Sequence, residues 1–439
     1  MSRMLRIELR RSAALGAGLV VLVAGAVLLW STRDRWSSGW MGLAMLQREY
    51  LVLMVPLALA AGAWQGRRET RSGLGELLGS TPRPRPQQVL PVLGALGIAV
   101  VAGYLAVLAV TAPSIAGTAR YLPTAAFAVV AFGALAVVAA AWLGVAVGRL
   151  WPSVAAGPVL AIAGIGWLMG LPTVAGHEWP STALSPMAGM SVFSAYETVS
   201  GRLTAAQALW VVAVGAAALV LHAARSRRGR VAALLPVALG IAVAVALVPG
   251  DGGDSRTLDP VAQELVCTDD APRVCVARVN SGRLPEIAPR AREALALLAQ
   301  LPEPPTEARE DTAFWDVDGY VPRPDPAGTA MFTVEADAAG HLASPDALVP
   351  AMVERALQNW NACPDGVDPV TTRAAAWWLV GREPVRDPSV IEDGGEHTRV
   401  VALWRELQER PDAEVLDRVR AVREAALACE DVTGLLAPR

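Results

Sequence analysis

The chain has 439 residues, 53% of them hydrophobic and only 18% charged, with a formal net charge of −3 and a mean hydropathy of +0.38. A soluble globular domain carries about 25% charged residues, so these figures exclude a simple cytosolic enzyme, a disordered chain and a small disulfide scaffold. The net charge conceals two unlike halves: residues 1–250 hold 19 Arg against 7 acids, and residues 251–439 hold 19 Arg against 34 acids. The first half reads as membrane, the second as an acidic water-soluble domain. All 38 basic residues are Arg. A phosphate-binding P-loop needs a lysine, so the chain carries no such ATPase site, and Schiff-base and lysine-base chemistry are excluded with it.

In chain order, residues 1–12 form a basic amphipathic leader, with Met4, Leu5, Ile7 and Leu9 apolar and Arg3, Arg6, Arg10 and Arg11 able to reach lipid phosphates. This pattern predicts an interfacial helix. Seven apolar segments follow, at 13–30, 50–65, 89–111, 123–147, 153–173, 205–222 and 231–248. A crossing helix needs about 20 such residues, and Leu43 to Leu46 can extend the short second segment. Seven transmembrane helices over residues 13–248 are therefore expected. With the N-terminus inside, the inner segments hold 14 Arg, whereas the outer loops hold Arg33, Arg35, Arg48, Arg120 and Arg202. The positive-inside bias selects this orientation, and an odd number of spans sends the C-terminal domain outside the cytoplasm.

Cysteine placement points the same way. Cys267, Cys275, Cys363 and Cys429 all lie in the C-terminal half, as expected for disulfides in an oxidising compartment. Four cysteines allow three pairings, of which Cys267–Cys275 and Cys363–Cys429 are favoured. Free buried thiols are the alternative, and zinc is disfavoured because no CxxC or HxxxH spacing exists. No metal site is expected.

The loop between the second and third segments, RRETRSGLGELLGSTPRPRP at 67–86, places Leu74, Leu77 and Leu78 on one face of a short helix that Pro82 ends. This loop resembles the cytoplasmic coupling loop of type-2 ATP-binding-cassette (ABC) transporter permeases, in Glu69, Gly73, Glu76, Leu77, Leu78, Thr81 and Pro82. Gly75 and Gly79 depart from that pattern and weaken a helix by about 1 kcal/mol each. Further on, Leu184, Ser185, Pro186 and Gly201 match a Leu-Ser-Pro segment and a glycine before the last span of that family. Pro186 suits a helix start, and Met190, Phe193, Tyr196 and Val199 then suggest a helical apolar stripe. The resemblance covers about residues 1–228. It implies a permease subunit of an exporter in a bacterial plasma membrane, paired with a second permease copy or a homologous permease. The partner ATPase would bring ATP and Mg, this chain having no cofactor of its own, and would dock through Arg67, Arg68, Glu69, Gly73, Glu76, Leu77 and Leu78. Membrane lipids are the remaining partner; nucleic acid is not one.

After a linker at 249–256, residues 257–439 are long enough to bury their own core. The pattern predicts a strand around Val274, Val276 and Val279, a helix at 286–301 and a long loop at 302–327. A strand near Met331 to Val334 follows, then helices at about 346–361, 370–381, 398–408 and 412–429. The fold class expected is thus an α-helical polytopic membrane protein with a mainly helical α+β extracytoplasmic domain. Trp315 and Tyr320 suggest either a binding loop or loop packing. Catalytic residues are not expected: the histidines are His177, His222, His341 and His397, and Glu396-His397 lacks the second His of HExxH. A membrane-anchored receptor or scaffold without transport is the alternative to the permease.

Overall fold

The computed structural model describes residues 13–71, 85–175, 179–187, 194–224, 226–248, 256–312, 315–316, 319–320, 325–358, 363, 367–386 and 394–437. It divides into two compact units. The first comprises residues up to Asp259 except for a short loop, and the second comprises residues 118–121 with 260–439. The expected leader helix at 1–12 lies outside the described residues.

The first unit is a bundle of apolar helices: α1 Ala14–Ser31, α2 Trp40–Glu49, α3 Leu51–Arg71, α4 Arg85–Thr111, α5 Thr124–Leu150 and α6 Ala156–Ala175, then the short α7 Trp179–Leu184, α8 Gly201–Ala223, α9 Arg227–Ala232 and α10 Leu234–Leu247. Five spans are long and apolar enough to cross a membrane, α9 and α10 together counting as one. A sixth arises if α2 and α3, bent by 49° where they meet, act as one; Ala156–Leu171 is a shorter apolar helix. Each of the seven expected segments thus falls on a helix, the second as a bent pair and the fifth as the shorter one.

Small residues set how these helices pack. Gly62 and Gly66 on α3 face Gly144 and Gly148 on α5, and a Cβ on any of the four would strike backbone of the other helix. Removing those Cβ atoms lets two backbones approach closely, which in lipid replaces the missing hydrophobic drive with dispersion contacts. Contacts rising together along both chains, Leu59 with Gly144 and Ala63 with Gly148, make α3 and α5 parallel. On α1 and α4 the partners are Gly18 with Ala99 and Gly25 with Val107, also parallel. The α1 and α3 helices run oppositely, since Gly25 abuts Met54 while the Ala13 amide donates to Gln65 Oε1 (3.4 Å). Parallel to α5 lies α8, where Arg149 Nη1 donates to the His222 carbonyl at 2.9 Å; α6 opposes α3, with Gly157 beside Ala60 and Gly164 beside Pro56.

One expectation fails in part in this unit. Tyr196 and Val199 are not helical, while Met190 and Phe193 of the expected stripe lie outside the described residues. Residues 197–199 form strand β1, paired antiparallel with β2 at Arg256–Leu258, so that Val199 faces Arg256. Pro186 lies in a turn after α7 rather than at a helix start. Residue 256, expected in the linker, belongs to β2, and residues 249–255 lie outside the described residues.

In the second unit, strands β3 Leu265–Cys267, β4 Arg273–Ala277, β5 Glu307–Glu310 and β8 Thr329–Phe332 form a four-stranded mixed sheet in that order. Antiparallel pairing joins β3 to β4, whereas β4–β5 and β5–β8 are parallel. Four consecutive buried residues, Val274 to Ala277, give β4 the continuous apolar character of a strand covered on both faces. The crossover between β4 and β5 contains helix α12 Leu284–Leu298, whose Ile287, Ala288, Ala291, Ala294, Leu295 and Leu298 are buried at helical spacing; the short α11 Pro260–Gln263 precedes β3. Helices α13 Leu348–Leu357, α14 Pro369–Val380, α15 Gly394–Gln408 and α16 Asp412–Leu427 complete the core. Asp368 caps α14, accepting from the Val370 and Thr371 amides, with Pro369 in its first turn. Gly381 ends it at φ 70°, the left-handed conformation glycine adopts without penalty.

The expected loop at 302–327 is not one: it contains β5 and a hairpin in which β6 Trp315–Asp316 pairs with β7 Gly319–Tyr320. The side chains of Trp315 and Tyr320 lie outside the described residues. The sheet accordingly has more strands than the two expected.

Candidate functional site

Of the residues proposed for coupling, Arg67, Arg68 and Glu69 continue α3 beyond its apolar stretch as an unbroken helix ending at Arg71. The Arg67 guanidinium sits 5.4 Å from the centroid of the Trp64 ring, one turn back, holding the charged end against the helix. Gly73, Glu76, Leu77 and Leu78, with Thr81 and Pro82, lie outside the described residues, so the structure brings together only the helical root of this loop. Both favoured cysteine pairs are bonded: Cys267–Cys275 across the β3–β4 pair, and Cys363–Cys429 tying residue 363 to the end of α16.

The structure also assembles a polar cluster within the first unit. Arg48, counted above as an outer-loop charge, belongs to α2, whose residues Met41 to Arg48 are all buried. Its side chain is fully enclosed. The guanidinium stacks on Phe132 of α5 at 3.9 Å, Nε donates to the Pro186 carbonyl at 3.0 Å, and Nη2 donates to Gln207 Oε1 on α8. Gln207 is fixed in this role, because its amide nitrogen donates to the Thr182 and Ser185 carbonyls at 2.7 and 2.9 Å, leaving only oxygen to face Arg48. Neighbouring Gln47 donates to the Tyr104 carbonyl of α4 at 2.7 Å.

Among the described residues no carboxylate lies within ion-pair distance of Arg48; neutral carbonyls and an aromatic face compensate its charge. Three enclosed polar atoms of this cluster, Arg48 Nη1, Gln47 Oε1 and the Tyr104 hydroxyl, have no hydrogen-bond partner there. The Tyr104 hydroxyl lies against Gly133, the residue after the Phe132 on which Arg48 stacks, and Gln47 bonds the Tyr104 carbonyl, so the orphaned groups belong to residues on the packed helices α2 and α4. Sequence reading missed this cluster. Its signal was the pairing of an Arg at the end of an apolar run with a Gln inside an apolar span, both costly in a membrane unless they meet.

No protein-family model matches the chain, and no curated protein or solved structure is significantly similar to it.

In the second unit, Glu310 is buried and accepts from the Ala277 amide at 2.6 Å and from Asn280 Nδ2 at 2.5 Å. Asn280 Oδ1 in turn accepts from Arg283, which also donates to the Gly340 carbonyl at 2.7 Å. This network ties β5 to β4 and to the 340 turn. It joins core elements. Among the described residues no cluster of three or more His, Cys, Asp or Glu is arranged to hold a metal. Glu396 of the Glu396-His397 pair instead approaches Arg373 Nη1 at 3.6 Å.

Proposed function

We propose that this chain is the membrane-spanning permease subunit of an ABC exporter, working in a bacterial plasma membrane with a separate ATPase and a second permease copy or homologue. In this reading seven spans place the N-terminus in the cytoplasm and residues 257–439 outside it. The observation that carries the proposal is the rigid root of the 67–86 loop. Because α3 continues without a break through Arg67, Arg68 and Glu69, force applied to the loop is transmitted along the helix axis. The glycine-mediated contact of α3 with α5 then passes it into the bundle, since closely packed backbones cannot slide without moving together. A chain without a P-loop lysine must receive work this way. Apolar anchors carry most binding energy in such contacts and rim charges steer association, roles that fall to Leu77 and Leu78 and to Arg67, Arg68, Glu69 and Glu76.

Co-purification with a P-loop ATPase is the expected result. Glu76→Arg and Leu77→Asp should weaken that capture and uncouple ATP hydrolysis from transport, with protein level and both disulfides unchanged. Variants that keep the ATPase and full transport would reduce the loop to a connector. The alternative, an anchored receptor or scaffold, draws on the second unit having its own core and two disulfides; it predicts that no ATPase is captured at all.

A further inference from the structure

The geometry points to an anion-binding site at Arg48 and Tyr104 inside the helical bundle, built for the phosphoryl oxygens of an amphiphile's headgroup. Three observations carry it. Arg48 is a wholly enclosed cation that faces no acid among the described residues, and an enclosed charge costs several kcal/mol unless it is compensated. Two of its three nitrogens are used on neutral carbonyl oxygens, while Nη1 is left with unspent donors. The Tyr104 hydroxyl, also fully enclosed, is a second unspent donor, and Gln47, next to Arg48 in the chain and bonded through Nε2 to the Tyr104 carbonyl, has an unspent acceptor in Oε1.

Orphaned polar atoms rarely accumulate in native interiors, and where they do a ligand, an ion or ordered water commonly satisfies them. The chemistry selects among these. A fixed guanidinium together with a phenol hydroxyl matches two oxygens of a phosphate, where charge-assisted bonds are strongest. The Gln47 oxygen can accept from a hydroxyl on the same headgroup. The surroundings are apolar: Met45, Phe132 and Val129 are buried nearby on α2 and α5, which suits the start of an acyl chain. The chain bends by 49° between α2, which carries both Gln47 and Arg48, and α3. The site stands on this geometry and goes beyond the permease reading, to which it would add a substrate class.

The test is equilibrium binding of spin-labelled phosphatidylglycerol and, separately, spin-labelled diacylglycerol, which lacks the phosphate, to the full-length protein in detergent, with inorganic phosphate as competitor. Wild-type protein should prefer phosphatidylglycerol. Arg48→Gln and Tyr104→Phe should each weaken that lipid roughly tenfold or more, the loss of one charge-assisted hydrogen bond, and leave diacylglycerol unchanged. Competition by inorganic phosphate would identify free phosphate as the ligand, its absence a lipid headgroup; both keep the anion site. Tyr104→Phe guards against misfolding, because it removes an unpaired hydroxyl and should melt no lower than wild type without lipid. Wild-type protein that holds both lipids alike and binds no phosphate overturns the proposal. A normally melting Tyr104→Phe protein that binds phosphatidylglycerol as wild type does overturns it too. No ATPase is needed, so failure here leaves the permease reading standing, and failure of ATPase capture leaves the anion site standing.

Discussion

The two units place their large apolar residues differently. In the first, many point outward: Leu15, Leu19, Val23 and Val27 lie exposed along α1, and Ile162 on α6 is 72% exposed. Its interior combines other large residues, among them Leu51, Met54, Leu93 and Phe132, with the Ala and Gly whose small size lets helix backbones meet. In the second unit the large residues point inward, where Ile287, Leu298, Met352, Val353, Leu357 and Val419 build the core. Its surface carries ion pairs as well, among them Arg278 with Glu264 (2.5 Å) and Arg405 with Glu383 (2.8 Å). The difference teaches what the surrounding solvent supplies. Water drives large apolar groups inside. Lipid does not, so close backbone approach and satisfied polar groups must hold the helices together.

The sharpest break between the units is covalent. The second relies on cross-links that the first lacks, all four cysteines being there. Cys363–Cys429 closes 66 residues of chain, and in the loop-entropy model its removal costs about 4 kcal/mol. Cys363→Ala with Cys429→Ala should therefore make residues 260–437 far more sensitive to trypsin on warming, while the helical bundle stays resistant. Loss of the bundle at the same temperature would mean that the two units do not unfold separately.

A smaller effect tests the small-residue packing. Gly148→Ala puts a Cβ against the Ala63 backbone, with Ala63 Cα at 2.6 Å, and backbone cannot rotate away. Overpacking of this kind costs about 1–3 kcal/mol. Gly166→Ala on α6 meets nothing within 4 Å and should gain up to about 1 kcal/mol from helix propensity. Thermal unfolding in detergent should show opposite signs for the two variants. Equal signs would show that glycine in this bundle serves no packing role.

What could be read from the sequence follows the same division. The long helices were legible because lipid demands about 20 apolar residues in a row, a signal that needs no knowledge of neighbours. The buried faces of α12 and α16 were legible for a related reason: Leu295, Leu298, Val415 and Val419 recur at local helical spacing. Strands β4 and β8 were legible from their apolar runs, but strands without such a run were not. Tyr196 and Val199 are three apart, which mimics a helix, yet Val199 is set by its partner Arg256, far along the chain. In Glu307–Glu310 the charged residues suggested a loop. Alternate burial makes it a strand, with Glu310 inward because the Ala277 amide and Asn280 satisfy it. Arg48 was misread for a similar reason: a charge after an apolar run looks like a helix end, unless a Gln from another span and the Pro186 carbonyl come to meet it.

The smallest effect concerns acidic surface charge, which distinguishes the second unit from the Arg-rich, acid-poor first one. His341 Nδ1 lies 2.6 Å from Glu286 Oε1, while Glu286 Oε2 accepts from the Leu342 amide at 3.1 Å. The hydrogen bond to Glu286, then its negative charge, raises the His341 pKa above its usual 6.5. Partial burial works to raise the Glu286 pKa, but the bonds from His341 and the Leu342 amide outweigh it and the net shift is downward. The signs follow by linkage. The histidine's contribution is complete below its unfolded pKa and is lost as pH rises through its folded one. The glutamate's contribution is present above its unfolded pKa, near 4.5, and is lost as pH falls through its folded one. The pair therefore stabilises most between about pH 5 and 6. Because the His341 side chain is 57% exposed, solvent screening holds the gain below about 1 kcal/mol. His341→Ala should lower stability near pH 5.5 and converge on wild type above pH 8, apart from the neutral hydrogen bond. Chemical-denaturant midpoints measured across that range decide it. A deficit that is constant with pH would show that the histidine packs without titrating against its carboxylate.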